Sequence, residues 1–382
     1  MPRRTALALT LAFIPAPLFA QGEVVTSAKA SFRVETVASG LENPWALVFL
    51  PDGRKLITER PGRLRILGSD GKLSPPVAGL PAVAAIGQGG LLDVALAPDF
   101  AQSRMIYFSF AEPRAPFGNG TSVARARLVE DKDGAKLDDL KVIFRQQPAV
   151  IGGFHFGSRL AFARDGTLFV TLGERHRQDR AQDLSAHLGK VVRIRPDGTV
   201  PPDNPFVGRK DALPEIWSFG HRNPQGAAIH PTTGKLWIHE HGPRGGDEVN
   251  IPEKGKNYGW PVIGYGTEYS GARIHASSQK EGMEQPIHYW VPISIAPSGM
   301  AFYTGNAFPN WRGNLFIGAL AARSLVRLEL AGEKVVSEEK LLANLGARIR
   351  DVRQAPDGTL WLLTDARDGK VLRLVPANTR SQ

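Results

Sequence analysis

The chain of 382 residues contains no cysteine. That single absence removes disulfides, thiolate-bound zinc, iron–sulfur clusters and cysteine nucleophiles together. No run of five or more basic residues occurs, and Lys and Arg are interspersed with Asp and Glu throughout, so the formal charge of +10 marks out no nucleic-acid tract. Outside Asp179–Leu188 no stretch sustains a 3.6-residue apolar period, which argues against a helical architecture. Nor does the composition break anywhere as an interdomain linker would. The one long apolar run, Ala6–Phe19, is too short and wrongly flanked to span a membrane.

That run has a different use. Arg3 and Arg4 precede it, Pro15 and Pro17 would break a buried helix, and it ends in Leu18-Phe19-Ala20. These are the parts of a secretory signal, so 1–20 is expected to be removed and 21–382 to form one domain in the periplasm or outside the cell. Without the signal the formal charge falls to +8, since it carries two arginines and no acid. Such a surface could meet nucleic acid or an anionic membrane, but export argues against nucleic acid. A small anionic ligand held by a few arginines accounts for the excess equally well.

Glycine (41) and proline (29) are plentiful, which favours many short elements and many turns. One phrase recurs: a turn of Pro, Asp and Gly followed by an apolar strand. It reads LPDGRKLITE (50–59), APDFAQSRMIYFSF (97–110), ARDGTLFVTLGE (163–174), HPTTGKLWIHE (230–240), FPNWRGNLFIGAL (308–320) and APDGTLWLLTD (355–365). Asp-Gly between apolar runs signals a hairpin. Six hairpins at propeller-like spacing predict an all-β, six-bladed β-propeller of four-stranded blades. A pair of stacked sandwiches would need the missing linker.

Five loop segments then stand out: Gly87-Gln88-Gly89-Gly90, Gly152–Gly157 around His155, Gly220–Gly226 around Arg222, the stretch 235–261, and Arg348-Ile349-Arg350-Asp351. In a propeller, equivalent loops of different blades converge at one end of the axis, so the five are expected to meet. His155 in a glycine-flanked loop suits a general base. Arg348 and Arg350, two apart on a strand, share a face and with Arg222 could receive carboxylates. His239 and His241 do not have the helical spacing of a zinc pair. Oxygen is the abundant donor in 235–261, from the Gly242 and Pro243 carbonyls, Asp247, Glu248 and the backbone around Tyr258. That favours a hard cation, calcium before magnesium, although Asp247 alone reads equally as a turn acid.

GQGGLLDVALAPDF, GGFHFGSRLAF, GHRNPQG, EHGPRGGDEVN, GKNYGWP, APSGMAFY and RIRDV, in this order over nearly the whole mature chain, resemble the soluble, pyrroloquinoline quinone (PQQ)-dependent aldose sugar dehydrogenases of the glucose/sorbosone dehydrogenase group. The resemblance implies oxidation of an aldose at its anomeric hydroxyl to the lactone, with His155 as base and hydride passing to PQQ. It implies that Gln88, Arg222 and Asn223 hold the quinone, Arg222 near the oxygen that gains charge. Tyr269, Ala319-Leu320-Ala321 and Arg348-Ile349-Arg350 become further cofactor contacts. Gly242 and Pro243 become the carbonyls of a calcium that polarises the quinone, and Glu248 and Tyr258 ligands of a structural calcium. The chain departs from the pattern twice: many relatives have a lysine where Ala321 stands, with Arg323 two residues on, and some have an aspartate orienting the base where Phe154 stands. The competing classes are a calcium-dependent propeller lactonase, which needs metal-binding carboxylates from several blades, and a non-catalytic binding propeller. Neither the preferred aldose nor the electron acceptor is legible in the loops.

Overall fold

The computed structural model describes residues 23–377, apart from 117 and 133. The segment 1–20, read above as an export signal, lies outside the described residues. Among the described residues no helix is long and apolar enough to cross a membrane.

Six antiparallel sheets follow one another along the chain. Strands β1 (Val24–Thr26) and β2 (Ser31–Leu41) come first, then the blade of β3 (Pro44–Phe49), β4 (Lys55–Glu59) and β5 (Arg63–Leu67). The second blade is β6 (Leu91–Leu96), β7 (Met105–Arg114), β8 (Gly118–Asp131) and β9 (Gly134–Arg145). The third is β10 (Leu160–Phe162), β11 (Leu168–Leu172), β12 (Lys190–Ile194) and β13 (Ile216–Phe219). The fourth is β14 (Pro224–Ile229), β15 (Leu236–Glu240), β16 (Asp247–Asn250) and β17 (His288–Trp290). The fifth is β18 (Pro297–Phe302), β19 (Leu315–Ala319), β20 (Ser324–Ala331) and β21 (Lys334–Leu341). The sixth is β22 (Ile349–Gln354), β23 (Leu360–Thr364) and β24 (Gly369–Pro376).

The first strand of each blade packs against the first strand of the next, from β3 round to β22 and back to β3. This closed ring is a six-bladed β-propeller. The expectation of four strands in every blade needs correcting in two places. The first blade has three strands, because its chain leaves β5 for the long segment 68–90. The sixth has five, because β2 pairs with β24 from Phe32 opposite Pro376 to Leu41 opposite Gly369, and β1 adds outside it. The N-terminal strand thereby closes the ring.

All six copies of the repeated phrase occupy the same place, the turn from the first to the second strand of a blade. In three of them the aspartate accepts the N–H two residues on: Asp52 from Arg54, Asp165 from Thr167 and Asp357 from Thr359, at 2.9–3.0 Å. These side-chain bonds specify the turn locally. In the second copy a short helix, α1 (Phe100–Ser103), takes the turn's place. The apolar residues of the strands form six clusters, one between each pair of neighbouring blades. Trp45 and Phe108 belong to the first, Trp237 and Phe316 to others, and burial of such side chains is the main force holding blade to blade.

The helical period at Asp179–Leu188 is also corrected. Only Gln178–Ala181 forms a 3-10 turn. Lys190 Nζ donates to the carbonyls of Arg180, Ala181 and Leu188 at 2.7–3.0 Å, so an ammonium takes the carbonyls that amides of a helix would need. The apolar residues that mimicked a helix, Ala181, Ala186 and Leu188, are buried as loop packing.

On the axis the inner strands carry charge. Arg159 Nη1 contacts Asp93 and Asp351 at 3.1 Å, and Arg353 contacts the same two acids at 3.1 and 2.9 Å. Arg159 also lies 4.2 Å over the Trp45 ring and donates Nε–H to Gln225 O. Gly299 makes room for this cluster, since a Cβ there would stand 2.2 Å from Asp351 Oδ1. A mutually paired, hydrogen-bonded set of this kind is how a core holds four charges.

Candidate active site

The loops that precede the first strands, and those joining second to third strands, open at one end of the ring. Four of the five segments singled out above precede first strands: those ahead of β6, β10, β14 and β22. The fifth does not. The stretch 241–246 joins β15 to β16 and so belongs to the same blade as Arg222. It reaches the same end, because a second strand finishes where a first strand begins.

His155 is buried, with its backbone N–H donating to Gln88 Oε1 at 2.9 Å. Its Nδ1 lies 2.5 Å from Glu174 Oε1. Gly173 allows the two segments to approach, since a Cβ there would stand 2.0 Å from His155 O. Burial, then the positive charge of Arg222, push the His155 imidazole far below its usual range, so it stays neutral. Burial raises Glu174, while Arg222 and the Arg177 N–H act against that rise. Glu174 was not found by sequence reasoning. Its signal was available: four of the six repeat copies end in an acid, at Glu59, Glu174, Glu240 and Asp365.

Arg222 donates N–H to Glu240 Oε2 at 2.6 Å and Nη1–H to Gly242 O at 2.7 Å. With His155, Glu174, Pro243 and Tyr269 it lines a cavity of about 270 Å³. Asn223 Oδ1 accepts from Gly157 N at 3.1 Å and from Gln225 Nε2 at 3.3 Å, which leaves its Nδ2 as a free donor. Gln225 Oε1 in turn accepts from Arg350 Nη1 at 3.3 Å, tying the sixth blade to the fourth. Arg348 and Arg350 do share a face: both donate to Asp365 Oδ2 at 3.1 Å. Burial alone would raise Asp365, but Arg350 and Arg348 hold it down at about 2. Among the buried donors left without partners are Arg222 Nε, Asn223 Nδ2 and Arg350 Nε.

The remaining predicted contacts are placed as follows. Tyr269 is exposed at the cavity rim. Ala319, Leu320 and Ala321 lie at the end of β19, where Leu320 O accepts from Arg348 Nη1 and Ala321 N donates to Ile295 O. The Ile349 side chain belongs to the core. Arg323 lines a different cleft, about 550 Å³ and shared with Arg348, and its Nη1 donates to Gly346 O.

Gly242, Pro243, Glu248 and Tyr258 all border one small cavity of about 20 Å³, together with Glu240. That is room for one water-sized body. Burial, then the nearby Glu240 carboxylate, raise Glu248 to about 8. Among the described residues no three His, Asp or Glu side chains gather around a point. Asp247 is a turn acid, accepting Gly242 N at 2.9 Å and Ala296 N at 2.8 Å. His241 gives its Nε2 to Pro297 O at 2.6 Å.

Residues 41–373 match the glucose/sorbosone dehydrogenase family. An aldose sugar dehydrogenase of Escherichia coli, YliI, is 47% identical over 369 residues, spanning 96% of this chain and 99% of its own. A crystal structure of a glucose dehydrogenase superposes with a TM-score of 0.87 at 56% identity, covering 90% of this chain and 99% of the other. The PQQ-bound form of an aldose sugar dehydrogenase from Streptomyces coelicolor superposes with a TM-score of 0.73 at 30% identity, over 91% and 98% of the two chains.

Proposed function

Because the chain belongs to the glucose/sorbosone dehydrogenase family, we propose that it is a PQQ-dependent aldose sugar dehydrogenase that oxidises the anomeric hydroxyl to the lactone. The observation that carries this reading is the trio of buried, unpartnered donors on Arg222, Asn223 and Arg350. An unpaired buried donor is costly, and a flat, acceptor-rich tricarboxylate such as PQQ would satisfy all three. When bound, the quinone supplies the two-electron acceptor for the hydride that leaves the sugar's C1.

The residues of this chain have three tasks. His155 takes the proton from the anomeric hydroxyl. Glu174, whose Oε2 accepts the Arg177 N–H at 2.6 Å, would receive Nδ1–H at its other oxygen and so leave the Nε2 lone pair for the substrate. The acid thus does from the end of β11 what Phe154 lacks the chemistry to do. Arg222 brings positive charge to the place where the acceptor gains electrons. Gln225 links Arg350 to Asn223, so the donors of the fourth and sixth blades are fixed together.

The donors at Glu248 would suit a hard cation such as calcium: one carboxylate, charged once a cation offsets its burial, with the Tyr258 carbonyl oxygen. The Gly242 carbonyl fits less directly, since Arg222 Nη1 already holds it, and a metal there requires Arg222 to turn toward the cofactor. The lactonase reading loses support on the axis. Asp93 and Asp351 do bring carboxylates from two blades, but Arg159 and Arg353 occupy the positions a metal would need.

Protein made without quinone should be inactive with aldoses and gain dye-linked dehydrogenase activity only with both PQQ and calcium, with a new absorbance band on binding. His155→Ala should lower kcat by roughly 10²–10⁴-fold while quinone affinity changes far less. Because His155 is held neutral, the acid limb of kcat/KM should fall below pH 6.5. Glu248→Gln should lose most of the calcium-dependent rise in melting temperature. Full activity after chelation and without quinone would overturn the reading.

A further inference from the structure

We propose that His176 is a substrate-contacting residue, gripping an aldose hydroxyl next to the one His155 deprotonates, with Phe154 fixing its ring. The proposal rests on the aldose-oxidising reading above and adds a contact which that reading does not contain.

His176 lines the same cavity of about 270 Å³ as His155 and Tyr269. Its ring centre lies 4.3 Å from that of His155, with the planes nearly perpendicular at 80°. On its other side it stacks on Phe154, centres 4.7 Å apart and planes 2° from parallel. Phe154 remains 50% exposed, a large apolar ring spent at the surface on holding an imidazole. Among the described residues the His176 ring nitrogens take no hydrogen bond, so both stay available to a ligand.

The backbone adds an independent observation. Arg175 and His176 are consecutive non-glycine residues in the left-handed region, at φ 58 and 56, and His155 is a third at φ 50. Such conformations are disfavoured for side chains with a Cβ and persist only where the surroundings impose them. Here Arg175 imposes them: its guanidinium donates to Phe154 O at 2.7 Å, Gly152 O at 2.9 Å and Asn119 Oδ1 at 2.6 Å, and lies 3.7 Å over the Phe156 ring. The strained turn is therefore clamped to the loop that carries His155, and the two imidazoles keep a fixed relation.

The chemistry matches a sugar. An imidazole presents a polar nitrogen at two places on its ring, and a pyranose offers hydroxyls on adjacent carbons that both donate and accept. With O1–H at His155, the hydroxyl of a neighbouring carbon falls one ring away, at His176. No proton is transferred there; the contact positions the substrate and selects among aldoses.

The test compares wild type, His176→Gly and His176→Asn. Apoprotein is titrated with D-glucose and with 2-deoxy- and 3-deoxy-D-glucose by tryptophan fluorescence, Trp260 lining the cavity. Reconstituted enzyme is assayed with the same sugars. Glycine suits a φ of 56, so His176→Gly should keep or raise the thermal midpoint. Its Kd and KM for glucose should rise about tenfold, as for loss of one hydrogen bond, with kcat changed far less. The loss should vanish for the deoxy sugar that lacks the gripped hydroxyl. His176→Asn, which keeps a donor and an acceptor, should recover part of the affinity. Equal glucose binding by wild type and His176→Gly overturns the proposal, as does a wild-type apoprotein that binds none of the sugars. A wild type that binds glucose through His176 but stays inactive with quinone and calcium overturns the dehydrogenase reading and leaves this contact standing.

Discussion

Lys190 is buried beneath the carbonyls of Arg180, Ala181 and Leu188, and it holds the segment that carries Glu174, Arg177 and Gln178 to the site. Burial lowers its ammonium to about 7, against 10.5 in the unfolded chain. Between those values the unfolded chain binds the extra proton, so this residue's contribution to stability is lost as pH falls through 7 and grows as pH rises toward 10.5. Urea unfolding should therefore show a rise in stability from pH 7 to pH 10 that Lys190→Met flattens. An unchanged slope in the variant would place the titration elsewhere. Lys190 and Glu174 show the limit of reading single residues. A lysine at the start of a strand and an acid at the end of one look like solvated charges until the fold buries them. His155 and Arg222 were legible because glycines crowd their loops, and Asn223 because it lies in the same phrase. Glu174 was legible only through the repeat, as the acid that closes a copy.

Those closing acids act as one device at the level of the strand pair. Glu59 accepts the N–H of Glu42 at 2.6 Å, Glu240 that of Arg222 at 2.6 Å, Glu174 reaches His155 and Asp365 reaches Arg348. In each case the end of a second strand pins the segment leading into the first strand of its own blade. Three of these segments carry residues of the site and one does not, which makes the device testable. Glu59→Gln should cost about 1.5–3 kcal/mol in urea unfolding, the range for a bond to a charged group, with turnover retained. Glu240→Gln should cost a similar amount and also weaken quinone binding, because its partner is Arg222. Equal effects of the two on quinone affinity would show that the pins stabilise blades without aligning the site. The hairpins themselves were legible, since the Asx turn at Asp165 or Asp357 is written in adjacent residues. The assignment of 241–246 to a separate blade failed for the opposite reason. Strand count between repeats depends on pairing across the sheet, and β16 is only four residues long.

The whole ring was legible as six repeats, whereas its closure was not. Nothing local marks β2 as the partner of β24, more than three hundred residues away; the pairing is decided by the last blade's need for an outer strand. The same holds for the axis, where Asp93, Arg159, Asp351 and Arg353 are unremarkable in sequence and meet only because three blades bring them together. Their meeting has a kinetic consequence. A propeller's central channel could serve as a second passage, but here two arginines and two carboxylates from three blades are paired across the axis. On the dehydrogenase reading proposed above, with the axis closed by those pairs, sugar and electron acceptor would share the mouth beside Tyr269 and His155, and a bulky acceptor could not approach while a sugar is seated. The two half-reactions then alternate. Initial rates measured against both reactants should give parallel double-reciprocal lines, with each reactant inhibiting at high concentration by occupying the mouth when the other is due; intersecting lines would require a second way in.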